Sequence, residues 1–415
     1  MDKIKQVSSQ TAWQLLGKGV SASSTIVVLG VVSRNYGEDG TGIFTLALAY
    51  LSFLFLAADL GLNSYVLPRI NKNLDEVNKL FNFRLIWSGL LVILANILVY
   101  LLPFSTPLFN ISVLFGSLTI VSSGFFNSTT LVFQKNLRYD QSVIAASFGS
   151  LTVVPVILIL SQLGLPISSL ALAPLSGWVV NNLVAFLLVR KFYRFRVTSP
   201  DWTYPLQTLK VAWPISLTLL LNTVYFRLDT FILSTYHSFT EVGIYNFAYQ
   251  FFQTALVLPT FIMNSYYPLM IEKFHHSKQQ FKKELLKATG GIFLMSLLAA
   301  LGTWIFSPFL IPLVSGSSGF SKSTSVLQVL SLGYPAYFVS AILMWTMVLF
   351  RRYKTMLFIY VLGLTANTIL NIIFIPLYSY QAAAWITVVS EYLILILELA
   401  ILRPLIFSRK LNNEQ

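Results

Sequence analysis

A few ionisable side chains lie inside or beside the long apolar stretches of this sequence, and these side chains could bind a charged ligand or an ion. A charged group at the centre of a membrane-spanning helix costs about 2.5 kcal/mol or more, so it normally faces other protein groups or a water-filled cavity. There, a basic side chain could bind an anionic group, and a carboxylate could also carry a proton or a sodium ion. The candidates for substrate binding are Lys18, Arg34, Arg84 and Arg227, and those for ion coupling or cavity charge are Asp59, Asp229, Glu391 and Glu398.

Three of these residues lie on the first three apolar segments, one on each, and toward the same predicted side of the membrane. Lys18 and Asp59 lie at similar distances from that end on consecutive helices, so they either pair or line one cavity. Alternatively, Lys18 extends its charged head to the membrane interface. Arg84 lies close to the start of its segment, and this position favours extension to the interface over binding in a cavity.

The remaining candidates occur as two pairs. Arg227 and Asp229 are two residues apart, about 200° around a helix, so they point in different directions and need separate partners. For both, a location at the interface is the alternative to a role in a cavity. Glu391 and Glu398 are seven residues apart and share one helix face. Glu398 either pairs with Arg403 or joins Glu391 as a carrier of protons or sodium.

Other reactive groups are scarce in the sequence. There is no cysteine, which excludes disulfides and thiolate metal sites, and His237, His275 and His276 form no HExxH pattern. No G-x-x-x-x-G-K-[ST] phosphate loop occurs, so we do not expect this chain to hydrolyse ATP. We expect no bound metal and no organic cofactor, and we leave coupling to protons or sodium open.

The elements that must position these residues are membrane-spanning helices. Only 10% of the 415 residues are charged, whereas a soluble domain carries roughly 25%. A span needs about 20 mostly apolar residues. The sequence predicts twelve spans: Thr11–Ser33, Ile43–Leu67, Phe81–Leu102, Ile111–Phe133, Ser142–Leu163, Ile167–Val189, Val211–Thr235, Ile244–Met270, Ala288–Val314, Ser325–Phe350, Met356–Pro376 and Ala382–Leu402.

The basic residues predict the orientation of these spans. The N-terminus and every second loop hold 23 of the 28 Lys and Arg residues, and the opposite loops hold only Arg34 and Lys322. Because positively charged loops stay in the cytoplasm, both termini are predicted to be cytoplasmic. The basic segment that begins at His275 predicts a helix on anionic lipid. The net charge of +13 follows this membrane pattern, so we do not expect nucleic acid as a partner.

A weak internal repeat divides the chain. "GIFTLALAY" begins at Gly42 and "GIYNFAYQF" at Gly243, while "NSYV" begins at Asn63 and "NSYY" at Asn264; both offsets are 201 residues. Six helices separate the anchors, so the halves share one orientation and are related by an axis along the membrane normal. The repeat predicts two six-helix bundles, residues 1–205 and 206–415, joined by the basic linker around Pro200 and Pro205.

The segment from Ser33 to Ile70, "SRNYGEDGTGIFTLALAYLSFLFLAADLGLNSYVLPRI", resembles the N-terminal signature of the polysaccharide-biosynthesis flippases. A second segment, "YFRLDTFILSTYHSFTEVGIYNFAYQ" from Tyr225 to Gln250, matches in the other half. The chain is similar to Wzx-type flippases of the polysaccharide transporter family. That family belongs to the multidrug/oligosaccharidyl-lipid/polysaccharide exporter (MOP) superfamily.

This resemblance implies an all-α fold with a cavity between two bundles, and alternating access in a bacterial inner membrane. It implies transport of an undecaprenyl-pyrophosphate-linked oligosaccharide for O-antigen, capsule or exopolysaccharide assembly, beside a polysaccharide polymerase and a chain-length regulator. Basic side chains in the cavity would replace the hydration of the pyrophosphate. One alternative is a cation-coupled multidrug exporter of the same superfamily. Another, a membrane-embedded polymerase, is disfavoured because the outward loops are too short for a catalytic domain, so we do not expect an enzyme.

Overall fold

The computed structural model of the protein describes residues 2–67, 75–198, 201–316 and 319–407. Some positions used above lie outside the described residues or have side chains that are not described: Lys3, Lys5, Arg69, Lys72, Pro200, Lys278, Arg409, Lys410 and most of the NSYV and NSYY anchors. The described part is built from thirteen α-helices and two short 3₁₀-helices at Val99–Leu101 and Ile167–Ala171. The α-helices are α1 Asp2–Asp59, α2 Leu62–Val66, α3 Asp75–Leu98, α4 Pro107–Lys135, α5 Tyr139–Gln162, α6 Leu172–Val189, α7 Thr203–Tyr236, α8 Phe239–Ala255, α9 Val257–His276, α10 Lys278–Ser315, α11 Ser321–Ser331, α12 Tyr334–Leu349 and α13 Tyr353–Phe407.

Two of these helices each contain a break between two predicted spans. In α1 the break is at Gly37, whose φ of 63° is readily adopted only by glycine. In α13 the break is at Ser379, with a φ of 54°, a conformation that is uncommon for a residue with a side chain. Each of these two helices, α1 and α13, therefore provides two membrane spans.

The described helices confirm the predicted twelve-span, all-α fold. Seven helices are long and apolar enough to cross a membrane, and two bent pairs, one within α7 and one formed by α11 and α12, raise that number to nine. The breaks in α1 and α13 add one span each, and α8 with α9 forms the predicted span around Leu256. Predicted and observed ends differ by several residues, because some helices continue beyond their apolar stretch.

The contacts within the chain define two compact units, which are described separately. The first comprises Met1–Gly243 with Val314–Gly316, and the second comprises Ile244–Leu313 with Ser317–Gln415. In the first unit α1 packs against α4, α5 and α7, and α5 packs against α6. In the second unit α12 packs against α9 and α13, and α11 packs against α13.

The boundary between these units differs from the linker predicted at residues 205 and 206. α7 follows that linker, yet it packs against α1, α2 and α3 and so belongs to the first unit. A linker of basic and proline residues marks where the chain leaves the apolar region, but the packing of a helix depends on its side chains. The six-helix division at 205/206 remains a prediction about the repeat, whereas the contacts divide the chain after Gly243.

Two glycines of the predicted repeat meet in the first unit. A Cβ on Gly42 would lie 1.8 Å from the carbonyl oxygen of Phe239, and one on Gly243 would lie 2.0 Å from that of Glu38. The backbones of α1 and the first turn of α8 therefore touch at positions that only glycine can fill. The contact is reciprocal between residues 201 apart, which agrees with the predicted repeat.

Candidate functional site

The first cluster of candidate residues lies where α1 ends. Arg84 on α3 is fully buried, and it forms an ion pair with Asp59, with 3.2 Å between Nη2 and Oδ1. Nη2 also donates to the Asp59 carbonyl at 3.3 Å, and Nη1 donates to Oδ1 of Asn63 at 2.9 Å. A single guanidinium thus holds both sides of the junction between α1 and α2.

This junction is a sharp break in the helix. Leu60 and Gly61 both have positive φ values, 51° and 62°, so the chain leaves the right-handed helix for two residues. Carbonyl groups near a helix end need other donors. Trp87 Nε1 donates to the carbonyl of Ala57 at 2.8 Å, and the Ser216 hydroxyl donates to the carbonyl of Leu60 at 2.5 Å. Side chains from α3 and α7 therefore fix the "DLGLN" segment.

The cluster changes the interpretation of two candidates. Asp59 pairs with Arg84, whereas the sequence left open either a pair with Lys18 or a cavity that both residues line. The expected extension of Arg84 to the interface was wrong, because its side chain is completely buried. The sequence indicated only that Arg84 lies near a helix start; it did not indicate that the helix break would supply acceptors inside the protein. The role of either residue in substrate binding or ion coupling stays a prediction.

Two further basic candidates are exposed. Lys18 lies on the first arm of α1 with an exposed side chain. Arg34, also exposed, lies shortly before the Gly37 break, and its Nε donates to the carbonyl of Val314 at 3.0 Å. Its stem packs over Gly316, where an added Cβ would lie 3.2 Å from Cγ of Arg34. Arg34 is therefore held against the segment at the end of α10.

Arg227 and Asp229 on α7 differ in exposure. Asp229 is buried, at 5% exposure, and Arg227 is partly buried. This difference fits the predicted separation of about 200°, which turns the two side chains toward different surroundings. Because Arg227 keeps access, it remains the α7 candidate for an anionic ligand.

The acidic candidates of the second unit lie together on the second arm of α13. Glu398 is fully buried and Glu391 is 4% exposed, as expected for two residues on one helix face. Glu398 accepts hydrogen bonds from the hydroxyl of Ser340 on α12 and from that of Tyr360, at 3.4 Å, on the first arm of α13. The suggested pairing with Arg403 is wrong, since the described contacts of Glu398 are these hydroxyls.

Further buried polar side chains join the two arms of α13 to each other and to α8. Asn371 donates to Asn367 at 2.9 Å, and Asn367 donates to the hydroxyl of Ser390 at 3.1 Å. The hydroxyls of Thr387 and Tyr245 are 3.2 Å apart. The second unit therefore contains a set of buried polar contacts between the two arms of α13.

Of the residues in these buried polar contacts, sequence analysis identified only Glu391 and Glu398. Ser340 and Tyr360 look like ordinary residues of apolar helices, and nothing in their local spacing points to Glu398. The pair Asn367 and Asn371 gave a usable signal, because two amides four residues apart in a span lie on one face and need buried partners. Within the described residues, no group of three or more His, Asp or Glu side chains is arranged to hold a metal ion.

Cations at the loop ends of the first unit are held by local partners. Arg138, between α4 and α5, makes two-pronged hydrogen bonds to Asp140, with Nη2 to Oδ2 at 2.8 Å and Nε to Oδ1 at 2.9 Å. These bonds raise the pKa of the Arg138 guanidinium above its usual value. The guanidinium of Arg190 stacks over the ring of Phe186, 4.1 Å from its centroid. The charged groups of both residues are thus held by neighbouring side chains at the end of a span.

The apolar spans and the few buried ionic groups define a multi-pass α-helical membrane protein. The profile of the family described as polysaccharide biosynthesis protein matches residues 7–274, more than half of the chain. The MatE profile matches residues 214–377. Among curated protein sequences, none matches this chain.

Solved structures of transporters share this fold. The lipid II flippase MurJ, in an inward closed conformation, matches with a TM-score of 0.78 and 15% identity, over 95% of this chain and 87% of that one. An inward-facing multidrug resistance MATE family transporter of the MOP superfamily matches with a TM-score of 0.75 and 15% identity, over 93% and 94% of the two chains. A MOP superfamily transporter from Pyrococcus furiosus, described as having a binding pocket of reverse polarity, matches with a TM-score of 0.63 and 15% identity, over 97% and 95%.

The chain belongs to the polysaccharide biosynthesis protein family, and its fold is that of the MOP superfamily transporters. The resemblance inferred from the Ser33–Ile70 segment is thereby confirmed at the level of the family. At 15% identity, the structural matches support the fold and leave the substrate to be argued from this chain.

Proposed function

We propose that this protein is a flippase that moves an undecaprenyl-pyrophosphate-linked oligosaccharide from the inner to the outer leaflet of a bacterial cytoplasmic membrane. The observation that carries the proposal is the match of residues 7–274 to the polysaccharide biosynthesis family. The similar fold of a lipid II flippase, whose printed name refers to another lipid-linked substrate, gives further support. The product would enter O-antigen, capsule or exopolysaccharide assembly, with a polymerase and a chain-length regulator as later partners.

The physical requirement on such a protein is to carry sugars and a pyrophosphate past hydrocarbon. Unsatisfied polar groups cost several kcal/mol each in lipid, so the headgroup needs protein donors or water throughout its path. Lys18, Arg34 and Arg227 are the candidates, because their side chains are exposed or only partly buried. Arg84 is enclosed by its own acceptors, so we assign it to holding the "DLGLN" segment in place.

The decisive experiment reconstitutes the purified protein in liposomes that contain the lipid-linked oligosaccharide. Wild-type protein should transfer the sugar to the opposite leaflet, which a membrane-impermeant glycosidase or lectin can detect. The Arg227→Ala variant should insert and fold normally but transfer at least tenfold more slowly, because one charge-assisted contact contributes about 1.5–3 kcal/mol. Arg351→Ala, at an exposed loop position, is the matched control and should retain activity. Wild-type activity in Arg227→Ala would remove this residue from the proposed site.

A second candidate function is multidrug export. It is favoured by the MatE profile over residues 214–377 and by the fold of a multidrug resistance MATE family transporter. Cells that express the protein would then expel a cationic dye, and efflux would collapse when the sodium or proton gradient is dissipated. Gene deletion separates the two functions: trapped lipid-linked repeat units favour the flippase, and normal surface glycan with increased drug sensitivity favours the exporter.

A further inference from the structure

We propose that the linker segment between α6 and α7, residues 192–198, is a binding site for anionic phospholipid, in which Arg194 and Arg196 contact headgroup phosphates. The linker segment belongs to the first unit, where side chains of α3 hold it in place. The site does not depend on the identity of the transported substrate. It is also separate from the basic segment that begins at His275, which lies in the second unit.

Two asparagines of α3 hold the backbone of the linker segment. Asn82 donates to the carbonyl of Arg196 at 2.9 Å and accepts from the amide N–H of Thr198 at 2.9 Å. Asn78, one turn earlier on α3, accepts from the N–H of Arg196 at 2.8 Å. The side-chain amide of Asn82 therefore bonds to the backbone on both sides of Val197, as the peptide group of a neighbouring strand would. These three hydrogen bonds fix the backbone in an extended form.

An aromatic contact fixes the orientation of the linker segment. The ring of Phe195 lies 4.7 Å from that of Phe81 on α3 and 6.2 Å from that of Phe125 on α4, measured between ring centroids. The residues on either side of Phe195, Arg194 and Arg196, are both exposed. Successive side chains of an extended chain point to opposite sides, so an inward Phe195 turns both arginines outward, with Cα atoms about 7 Å apart.

The two arginines are cations held close together. Within the described ranges, neither Arg194 nor Arg196 forms an ion pair. Because their backbone is fixed to α3, the segment cannot separate them to relieve the repulsion between their charges. An anion that contacts both side chains removes this repulsion. Guanidinium groups bind phosphate oxygens through two parallel hydrogen bonds, so a phosphate-bearing group is the ligand that fits this pair.

The neighbouring side chains favour a lipid over a soluble phosphate compound. Val197 is 78% exposed directly after Arg196, and Trp202, beyond the segment, is also exposed. Tryptophan is enriched at membrane interfaces, and an exposed valine beside cations can contact the apolar part of a lipid. The segment follows the end of α6 and is bonded to the start of the predicted span Phe81–Leu102, so it lies where two spans end. The predicted orientation places it at the cytoplasmic leaflet, whose anionic lipids attract basic residues close to a span.

The first test measures lipid binding by native mass spectrometry of the full-length protein in detergent. The probes are phosphatidylglycerol and phosphatidylcholine with the same acyl chains, and wild-type protein should prefer phosphatidylglycerol. The double variant Arg194→Gln/Arg196→Gln should bind phosphatidylglycerol about 30-fold more weakly, the effect of two cations near an anionic surface. Its binding of phosphatidylcholine should not change.

The matched control removes two exposed cations from a loop of the second unit, in the double variant Arg352→Gln/Lys354→Gln. This control should lose less than twofold in affinity for phosphatidylglycerol. Equal losses in the two double variants would mean that any basic loop gives the same effect, and would overturn the proposal. Equal binding of both lipids by wild-type protein would overturn it as well.

A second experiment tests the role of α3 without changing any charge. Asn82→Ala removes the bonds to the Arg196 carbonyl and the Thr198 N–H, so affinity for phosphatidylglycerol should fall severalfold as the two arginines lose their fixed spacing. Asn82 is buried, so Asn78→Ala, which removes only the bond to the Arg196 N–H, covers the case in which Asn82→Ala does not fold. Wild-type affinity in whichever of these variants folds would show that charge alone suffices, and would refute a site built by α3.

A third measurement distinguishes a phospholipid from the proposed substrate, because both carry phosphate. Undecaprenyl pyrophosphate is the second probe, applied to the same variants. If it binds through Arg194 and Arg196 while phosphatidylglycerol binding does not depend on them, the ligand is the transported lipid and the proposal fails. Phosphatidylglycerol binding that requires both arginines supports the site even if the reconstituted protein transfers no oligosaccharide, so failure of the proposed function would be recognised separately.

Discussion

Placing a methyl group on Gly42 tests the contact between α1 and α8. The Cβ of Gly42→Ala would lie 1.8 Å from the carbonyl oxygen and 2.7 Å from the carbonyl carbon of Phe239. Ordinary contacts begin at 3.4 Å, so the helices must separate locally by about 3.4 − 1.8 = 1.6 Å. Both obstructing atoms belong to the backbone, so no side chain can rotate to make room.

The expected cost follows from this displacement. Overpacking a tightly packed contact costs typically about 1–3 kcal/mol, and the rigid backbone places Gly42→Ala near the upper limit. Replacing glycine by alanine within a helix returns about 1 kcal/mol through helix propensity. We therefore expect a net loss of about 2 kcal/mol for Gly42→Ala. The reciprocal Gly243→Ala, at 2.0 Å from the Glu38 carbonyl, should lose a similar amount.

The assay is unfolding of the purified protein in one detergent, followed by tryptophan fluorescence and by size-exclusion chromatography after heating. Gly19→Ala is the matched control on α1, because a Cβ there meets no atom within 4 Å. Gly19→Ala should unfold at or above the wild-type temperature, and Gly42→Ala clearly below it. Equal unfolding temperatures for the two variants would refute the close contact, and with it the structural support for the repeat at this position.

Two further predictions concern the buried ion pair and the orientation. Asp59→Asn should lower the free energy of unfolding by about 3–5 kcal/mol, and Arg84→Met should lower it by about 2–3 kcal/mol. Asp59→Asn is the more destabilising change because it leaves a fully buried guanidinium without its carboxylate. The double variant should recover part of the Asp59→Asn loss in the same unfolding assay; strict additivity would mean that the pair is not coupled. Because the chain has no cysteine, single substitutions can map its sidedness. Lys322→Cys should react with an impermeant maleimide in intact cells and Lys135→Cys only after lysis, and the opposite pattern would invert the predicted orientation.

The sequence was sufficient to predict the spans because membrane insertion depends on local composition. A run of about 20 apolar residues predicts a membrane span whatever helices it packs against, so the α4 and α6 regions were identified from the sequence alone. The Gly37 break was foreseeable as a loop between two spans. The sequence did not show that α1 continues as one helical element on both sides of it, since that depends on the φ of a single residue.

The site was less predictable, because its contacts join residues far apart in the chain. The surroundings of Arg84 depend on the break at Leu60 and Gly61, which turns a helix end into a set of acceptors. Those of Glu398 depend on α12 and α13 packing together. Periodicity placed Glu391 and Glu398 on one face, but it could not indicate whether that face met a cation, a hydroxyl or lipid.

The two units use buried charge in opposite ways, and this difference carries a mechanistic consequence. In the first unit a fixed cation pairs with a carboxylate at a helix break, and the free energy of that pair stabilises one backbone conformation. In the second unit the buried carboxyl group of Glu398 instead meets the hydroxyls of Ser340 and Tyr360, an arrangement compatible with both its charged and its neutral form. A group whose charge can change alters the relative stability of two conformations, whereas a permanent ion pair favours one of them. The Arg84 cluster is therefore suited to hold one conformation of the junction between α1 and α2, whereas the hydroxyls that contact Glu398 are compatible with either form of its carboxyl group.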